Sequence, residues 1–194
     1  MIRLFVTVAA AVAMVGCASG GDDGGSARRA PAAAEGASTG LVDRAPIRAL
    51  TPEQNRARSA AFMVQNGAQA GVTTSPSGLQ YRIDRSIAAD VPRPSANDTV
   101  RVHYEGRLLD GQIFDSSYSR GQPIEFPLNG VIGAWREGLQ YVRPGEQVTI
   151  FAPPELAYGT RGSGNGEIPS NSALIFRVEL LSFTRPDGTV VTAP

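Results

Sequence analysis

Val100-Arg101-Val102-His103-Tyr104-Glu105-Gly106 is the stretch on which the fold turns. Val100, Val102 and Tyr104 take alternate positions, separated by Arg101, His103 and Glu105. That period of two marks a strand with one face on a core and the other toward water. Just beyond, Leu109-Asp110-Gly111-Gln112 carries a tight-turn signal, because glycine accepts the backbone that a short hairpin needs. Phe114-Asp115-Ser116-Ser117 then reads as the returning strand. Working outward, Leu79-Gln80-Tyr81-Arg82-Ile83 alternates behind the Ser77-Gly78 turn, and Ile124-Glu125-Phe126 is a further short strand. Val148, Ile150 and Ala152 alternate with Gln147, Thr149 and Phe151. Leu174, Phe176, Val178 and Leu180 line one face of the last long strand. Residues 133–141 make the one good helix of this half, with Ile132, Trp135 and Leu139 on a shared face. Short strands, tight turns and one helix predict an α+β fold: a twisted antiparallel sheet half-wrapped around one short helix.

The N-terminal third differs in character. Met1-Ile2-Arg3 is a short basic start, and residues 4–15 are uncharged and apolar. A bilayer-spanning helix takes about 20 such residues, so this run reads as a signal-peptide core. Met14-Val15-Gly16-Cys17-Ala18-Ser19 resembles a lipobox, which makes Cys17 a lipid attachment point; the alternative is ordinary signal-peptidase cleavage after Ala18. Residues 17–50 are rich in Gly, Ala, Ser and Asp and poor in large apolar groups. Such a segment cannot offset its own ordering entropy and reads as a disordered tether. Thr51-Pro52-Glu53-Gln54 opens a short N-terminal helix by capping box and Pro at the first turn. It is expected to run to Asn66, stop at Gly67, and carry an apolar stripe of Ala57, Ala60, Ala61 and Val64 with Phe62 and Met63 beside it. The chain thus divides into a signal peptide (1–16), a tether (17–50), a helical segment (51–72), a main domain (73–184) and a C-terminal tail (185–194). Arg185-Pro186-Asp187-Gly188 leaves open whether that tail turns into a final hairpin or frays.

Composition removes several classes of function. The 194 residues carry 18 basic and 18 acidic side chains, for a formal net charge of zero. A nucleic-acid binder needs a basic surface, so none is expected as a partner. One cysteine and one histidine leave no disulfide framework and no thiolate or imidazole cluster for a metal. No phosphate-binding or dinucleotide motif appears, so neither cofactor nor metal is expected. His103 points away from the Val102–Tyr104 face and reads as a structural strand residue.

Several blocks, in order, resemble the FKBP family of peptidyl-prolyl isomerases: Val102-His103-Tyr104-Glu105-Gly106, Phe114-Asp115-Ser116-Ser117, Val131-Ile132-Gly133-Ala134-Trp135-Arg136-Glu137-Gly138-Leu139, Ala157-Tyr158-Gly159, Ile168-Pro169 and Leu174-Ile175-Phe176-Arg177-Val178-Glu179. The resemblance covers residues 78–183. Ser77-Gly78-Leu79-Gln80-Tyr81 and Ser116-Ser117-Tyr118-Ser119-Arg120-Gly121 are further similar to the bacterial subgroup related to the macrophage infectivity potentiator, members of which often dimerise through an N-terminal helical region. Here only the short helical segment supplies one, which leaves monomer and dimer both open.

The resemblance implies a site and a task. A proline ring would rest on the indole of Trp135, walled by Tyr104, Phe114, Ile124, Val131, Ile132 and Phe176. The Ile132 N–H and the Tyr158 hydroxyl would each donate to a substrate carbonyl. Asp115 would sit at the edge and tune the field, and Ile168 in a flap would close one side. Ile124 stands where many members carry Phe, thinning a wall, and the glycines of residues 162–166 predict a loose flap with Glu167 beside the substrate path. The substrates implied are proline-containing unfolded or folding polypeptides, and macrolides of the FK506 or rapamycin type are implied inhibitors. With the leader, the expectation is an isomerase at the periplasmic face of the envelope, lipid-anchored to the outer membrane. The alternative is a holdase chaperone or binding module with weak isomerase activity. Each residue also has a plainer reading: Trp135, Phe176 and Tyr104 as core, Asp115 as a turn cap, Tyr158 as a loop anchor.

Overall fold

The computed structural model describes residues 50–163 and 165–194. The leader, Cys17 and the tether up to residue 49 lie outside the described residues. Helix α1 (Pro52–Gly67) starts at its capping box: the Gln54 N–H donates to the Thr51 hydroxyl and the Thr51 N–H to the Gln54 side chain. It ends at Gly67, the position expected from the sequence. Gly67 is its last residue, not a left-handed stop, and Ala68 caps it in ordinary right-handed backbone. Turns closed by Gln69 N–H to Asn66 O and Val72 N–H to Gln69 O then lead to β1 (Thr73–Thr74).

The stripe expected on α1 is on the wrong side. Ala57, Ala60, Ala61 and Val64 face solvent, and Val64 is 77% exposed. The face against the domain carries Asn55, Ser59, Phe62, Met63 and Asn66 instead. The cause is what lies beneath it. Over its first half α1 covers the backbone of residues 170–173, whose N–H and C=O groups require polar partners when buried.

The remaining strands are β2 (Gln80–Arg85), β3 (Thr99–Leu108), β4 (Ile113–Ser116), β5 (Ile124–Pro127), β6 (Gln147–Ala152), β7 (Leu174–Thr184) and β8 (Val190–Thr192). Among the described residues they form one sheet in the order β1-β2-β6-β7-β3-β4, with β5 paired to β3 and β8 to β7. Every pairing is antiparallel, so the α+β expectation holds. Helix α2 (Gly133–Gly138) continues into a 3-10 turn at Leu139–Tyr141 and packs on β6, with Ile150 directly beneath Gly138. Of the two outcomes left open for the C-terminal residues, the hairpin forms. Gly188 N–H to Arg185 O and Arg185 N–H to Thr189 O close a turn, and β8 pairs with the end of β7.

Val100, Val102, Leu108, Leu139, Val148, Ile150, Leu174, Val178 and Leu180 are fully buried in one core. Each such side chain is worth about 1.5–3 kcal/mol relative to exposure. β6 is buried at every position, because its second face is covered as well: Phe62 of α1 lies against Phe151, with ring centroids 6.0 Å apart. No helix among the described residues is long and apolar enough to cross a membrane.

Candidate functional site

Three rings, the buried Tyr104 and Phe176 and the half-buried Phe126, surround the indole of Trp135. Tyr104 meets it edge-on at 4.9 Å, Phe176 edge-on at 5.4 Å, and Phe126 tilted at 5.0 Å between centroids. Phe114 stands edge-on to Phe176 at 5.7 Å. These are the offset geometries that aromatic quadrupoles favour. Sheet register brings them together: Gly106 of β3 pairs with Phe176 of β7 on one side and with Asp115 of β4 on the other. The position must be glycine. A Cβ there would lie 2.5 Å from the Phe114 ring and 3.1 Å from Phe176. Tyr104, Trp135, Ile168 and Phe176 form the buried floor, while Phe114, Asp115, Ile124, Val131 and Ile132 are half-buried around it and Tyr158 is exposed at the rim.

Phe126 was absent from the expected walls, although its spacing from Ile124 could have signalled it: the two share one face of β5. Ile124 pairs with Val102, and beside it Phe126 supplies a ring against the indole. The wall thinned by Ile124 is therefore still aromatic.

At the edge, the Tyr104 hydroxyl donates to one oxygen of Asp115. Arg120 donates through Nη1 to the other, and through Nη2 to the Tyr104 oxygen at 3.0 Å. Arg120 is the second residue not expected. It follows a turn made by Arg120 N–H to Ser117 O, which returns it to Asp115, and linear spacing carries no sign of that. Tyr104 is fixed from behind by Ser117, whose hydroxyl contacts both the N–H and the carbonyl of Tyr104. Burial first, and the bond to Asp115 second, push the Tyr104 hydroxyl from 10.0 up to about 12, against the opposing pull of Arg120.

This shift has a consequence in alkali. The folded protein holds the Tyr104 proton more tightly than the unfolded chain does, so the stability it contributes is complete below about pH 10 and is lost as pH rises through about 12. The expected result is a urea midpoint that falls across that window in the wild type more than in Tyr104→Phe. Parallel curves for the two proteins would disprove it.

Ile132 caps α2, and its carbonyl accepts from the N–H groups of Trp135 and Arg136, both at 3.1 Å. Its own N–H makes no hydrogen bond among the described residues. The Tyr158 hydroxyl likewise has no partner there; Tyr158 is 40% exposed, and burial and then the Asp115 charge raise its pKa. The indole N–H of Trp135 is buried without an oxygen or nitrogen acceptor among the described residues. In the flap, Ser163 N–H donates to Ile168 O at 2.8 Å and Ile168 N–H to the Ser163 hydroxyl at 2.8 Å, while Asn165 Oδ1 accepts from Ser163 and from the Glu167 N–H. Gly162 makes this closure possible: at φ +64° a Cβ would lie 2.2 Å from Ile168 O. The described flap residues are thus tied together rather than loose, and Glu167 is exposed.

The arrangement is an apolar ring-lined floor, two unengaged donors at its rim, and a carboxylate held by a guanidinium. It suits a neutral ring flanked by carbonyl groups.

Two families match. That described as FKBP-type peptidyl-prolyl cis-trans isomerase matches residues 91–181, and the domain amino terminal to FKBP-type peptidyl-prolyl isomerase matches residues 41–83. The chain is 48% identical over 128 residues to the peptidyl-prolyl cis-trans isomerase Mip of Coxiella burnetii, covering 66% of this chain and 54% of that one. It is 46% identical over 120 residues to the FKBP-type 22 kDa peptidyl-prolyl cis-trans isomerase of Escherichia coli, covering 62% and 57%. Among solved structures, FkpA from Escherichia coli superposes with a TM-score of 0.63 at 40% identity, over 74% of this chain and 62% of that one. A peptidyl-prolyl cis-trans isomerase from Pseudomonas syringae superposes with a TM-score of 0.64 at 32% identity, over 70% and 98%. The chain spans about half the length of the curated relatives it matches.

Proposed function

The chain belongs to the FKBP-type peptidyl-prolyl cis-trans isomerases, and from that premise we propose that it catalyses rotation about X-Pro bonds in polypeptides folding outside the cytoplasm. The peptide bond resists rotation by about 18–20 kcal/mol because twisting destroys amide resonance. No bond to the enzyme is required. At the top of the barrier the prolyl nitrogen is pyramidal and the carbonyl has lost its resonance charge, so a site that favours this state over the planar amide accelerates the turn. In this reading the proline ring rests on Trp135 among Tyr104, Phe126 and Phe176. The Ile132 N–H and the Tyr158 hydroxyl hold carbonyls on either side, and Phe114, Ile124, Val131 and Ile168 keep water away. Asp115, fixed by Tyr104 and Arg120, sets a preorganised field at the rotating bond. The observation that supports it most is the pair of unengaged donors, Ile132 N–H and Tyr158 hydroxyl, at the rim of the ring cluster. Macrolides of the FK506 or rapamycin type fit the same set of contacts.

The reading extends to the export leader. Cys17 would carry a lipid that places the domain at the periplasmic face of the outer membrane. The outward-facing Ala57, Ala60, Ala61 and Val64 of α1 support pairing of two copies, which sedimentation of the full chain would register as a rising mass with concentration. The holdase alternative rests on Ile124 and the Gly-rich flap, and at the wall of Ile124 the Phe126 ring stands beside the indole.

The test uses the full chain carrying Cys17→Ala, which cannot be lipidated. It should accelerate isomerisation of a short proline peptide well above the uncatalysed rate, whereas the wild type alone should incorporate a click-labelled fatty acid. Suppression of aggregation without any gain in isomerisation would replace the catalytic reading with the holdase one. Equal labelling of both proteins would remove the anchor.

A further inference from the structure

Helix α1 shows an unusual choice of contacts. Its buried face is polar, and five hydrogen bonds join it to one short segment, residues 170–173, between the flap and β7. The Asn55 amide donates to Ser170 O at 2.6 Å and to the Ser172 hydroxyl at 2.8 Å. The Ser59 hydroxyl donates to Asn171 O at 2.8 Å and accepts from the Ala173 N–H at 2.8 Å. From the other side, the Asn171 amide donates to Pro52 O at 3.0 Å. Asn55 and Ser59 are each 1% exposed. Asn171 sits at φ +59°, the positive-φ residue other than glycine among the described residues, a conformation that strain disfavours unless the surroundings hold it.

The clamped segment connects directly to two proposed walls of the site. Upstream, the Ser172 hydroxyl donates to Pro169 O at 2.8 Å, next to Ile168. Across the loop, the Asn171 N–H donates to Gly159 O at 2.8 Å, next to Tyr158. Apolar contacts would let a helix slide. Hydrogen bonds to named backbone atoms define a register, and each one broken leaves a buried group unsatisfied.

We propose that α1 is a positioning element of the prolyl site: Ser59 and Asn55 hold residues 170–173 so that Tyr158 and Ile168 stand at their working distance from the indole. They are positioning residues, since neither touches the ring cluster. The proposal rests on the isomerase reading, and its test is chosen so that the two can fail separately.

The experiment compares the full chain bearing Cys17→Ala with the same chain carrying Ser59→Ala, Asn171→Gly or Asn66→Ala. Asn66 donates to Gln80 at 2.9 Å, so Asn66→Ala loosens the far end of the same helix without touching the clamp. Asn171→Gly keeps the left-handed backbone and removes only the tie to Pro52; it carries the test if Ser59→Ala does not fold. Amide exchange is measured at Gly159, Ser163 and Asn171, with Ile150 and Val178 as references, together with kcat and KM on a proline peptide. In Ser59→Ala, exchange at the three site amides should quicken about tenfold, the scale of one lost buried hydrogen bond, with Ile150 and Val178 unchanged. KM should rise about fivefold with kcat nearly constant, the pattern of lost substrate binding. Asn66→Ala should match the parent in both. Unchanged exchange at the site amides, an unchanged KM, or equal effects from Asn66→Ala would overturn the proposal. A parent chain without isomerase activity would sink the catalytic reading while the exchange pattern still decided the clamp.

Discussion

Truncating Trp135 to alanine is expected to cost about 3–5 kcal/mol of folding stability, the range for removing a large buried aromatic. The indole is 5% exposed and is contacted by Tyr104, Phe126 and Phe176. Those rings are anchored on three different strands, so they cannot collapse together into the space, and the cavity term adds to the transfer term. The lost N–H contributes nothing to the cost, because it has no acceptor among the described residues. Trp135→Phe should therefore be clearly milder than Trp135→Ala. Urea unfolding checks this through a lowered midpoint at an unchanged slope. A loss below about 1 kcal/mol, the scale of an average substitution, would mean that the indole is not a packed floor.

Replacing Asp115 by valine is expected to act on rate rather than on folding. The carboxylate accepts from Tyr104 and from Arg120, and valine keeps the shape while removing both acceptors. Asp115 and Arg120 are 39% and 42% exposed, so the ion pair itself stabilises by about 1 kcal/mol or less. Its value lies in orientation: without it the Tyr104 hydroxyl and the guanidinium lose their anchor, and the field at the bound amide is no longer preorganised. On the proposed mechanism kcat/KM falls by about 100-fold, the lower end of the cost of removing one preorganised electrostatic group. A second readout needs no substrate. Burial is the larger cause of the raised Tyr158 pKa and the Asp115 charge the second, so Tyr158 should titrate at lower pH in Asp115→Val than in the wild type. An unchanged rate together with an unchanged Tyr158 titration would deny Asp115 its place at the site.

The ring floor was legible because it is written in local order. Tyr104 and Phe176 lie on alternating strand faces, and Trp135 lies on the inner face of a short helix. Alternation also contains Phe126, two residues from Ile124, whereas the resemblance implies Ile124 alone on that wall. Arg120 was not legible. It reaches Asp115 only because the turn at Ser117 folds it back, and charge spacing along a chain does not encode that return.

The greatest divergence is at α1. Its start could be read from Thr51 and Gln54, since a capping box is satisfied within one turn and needs nothing distant. Its buried face could not, because the rule that apolar residues point inward assumes an apolar partner. Here the partner is the buried backbone of residues 170–173, and peptide groups that need partners select Asn55 and Ser59 over Ala57 and Val64. The amino-acid order alone determined the strands from β2 to β7, the hairpin at Gly111, the helix starts and the aromatic inventory, all of which depend on neighbours a few residues away. The tertiary structure alone decided which groups meet at Asp115, which side of α1 is buried, and that the last residues join the sheet. Those outcomes depend on hydrogen-bond partners supplied from far along the chain.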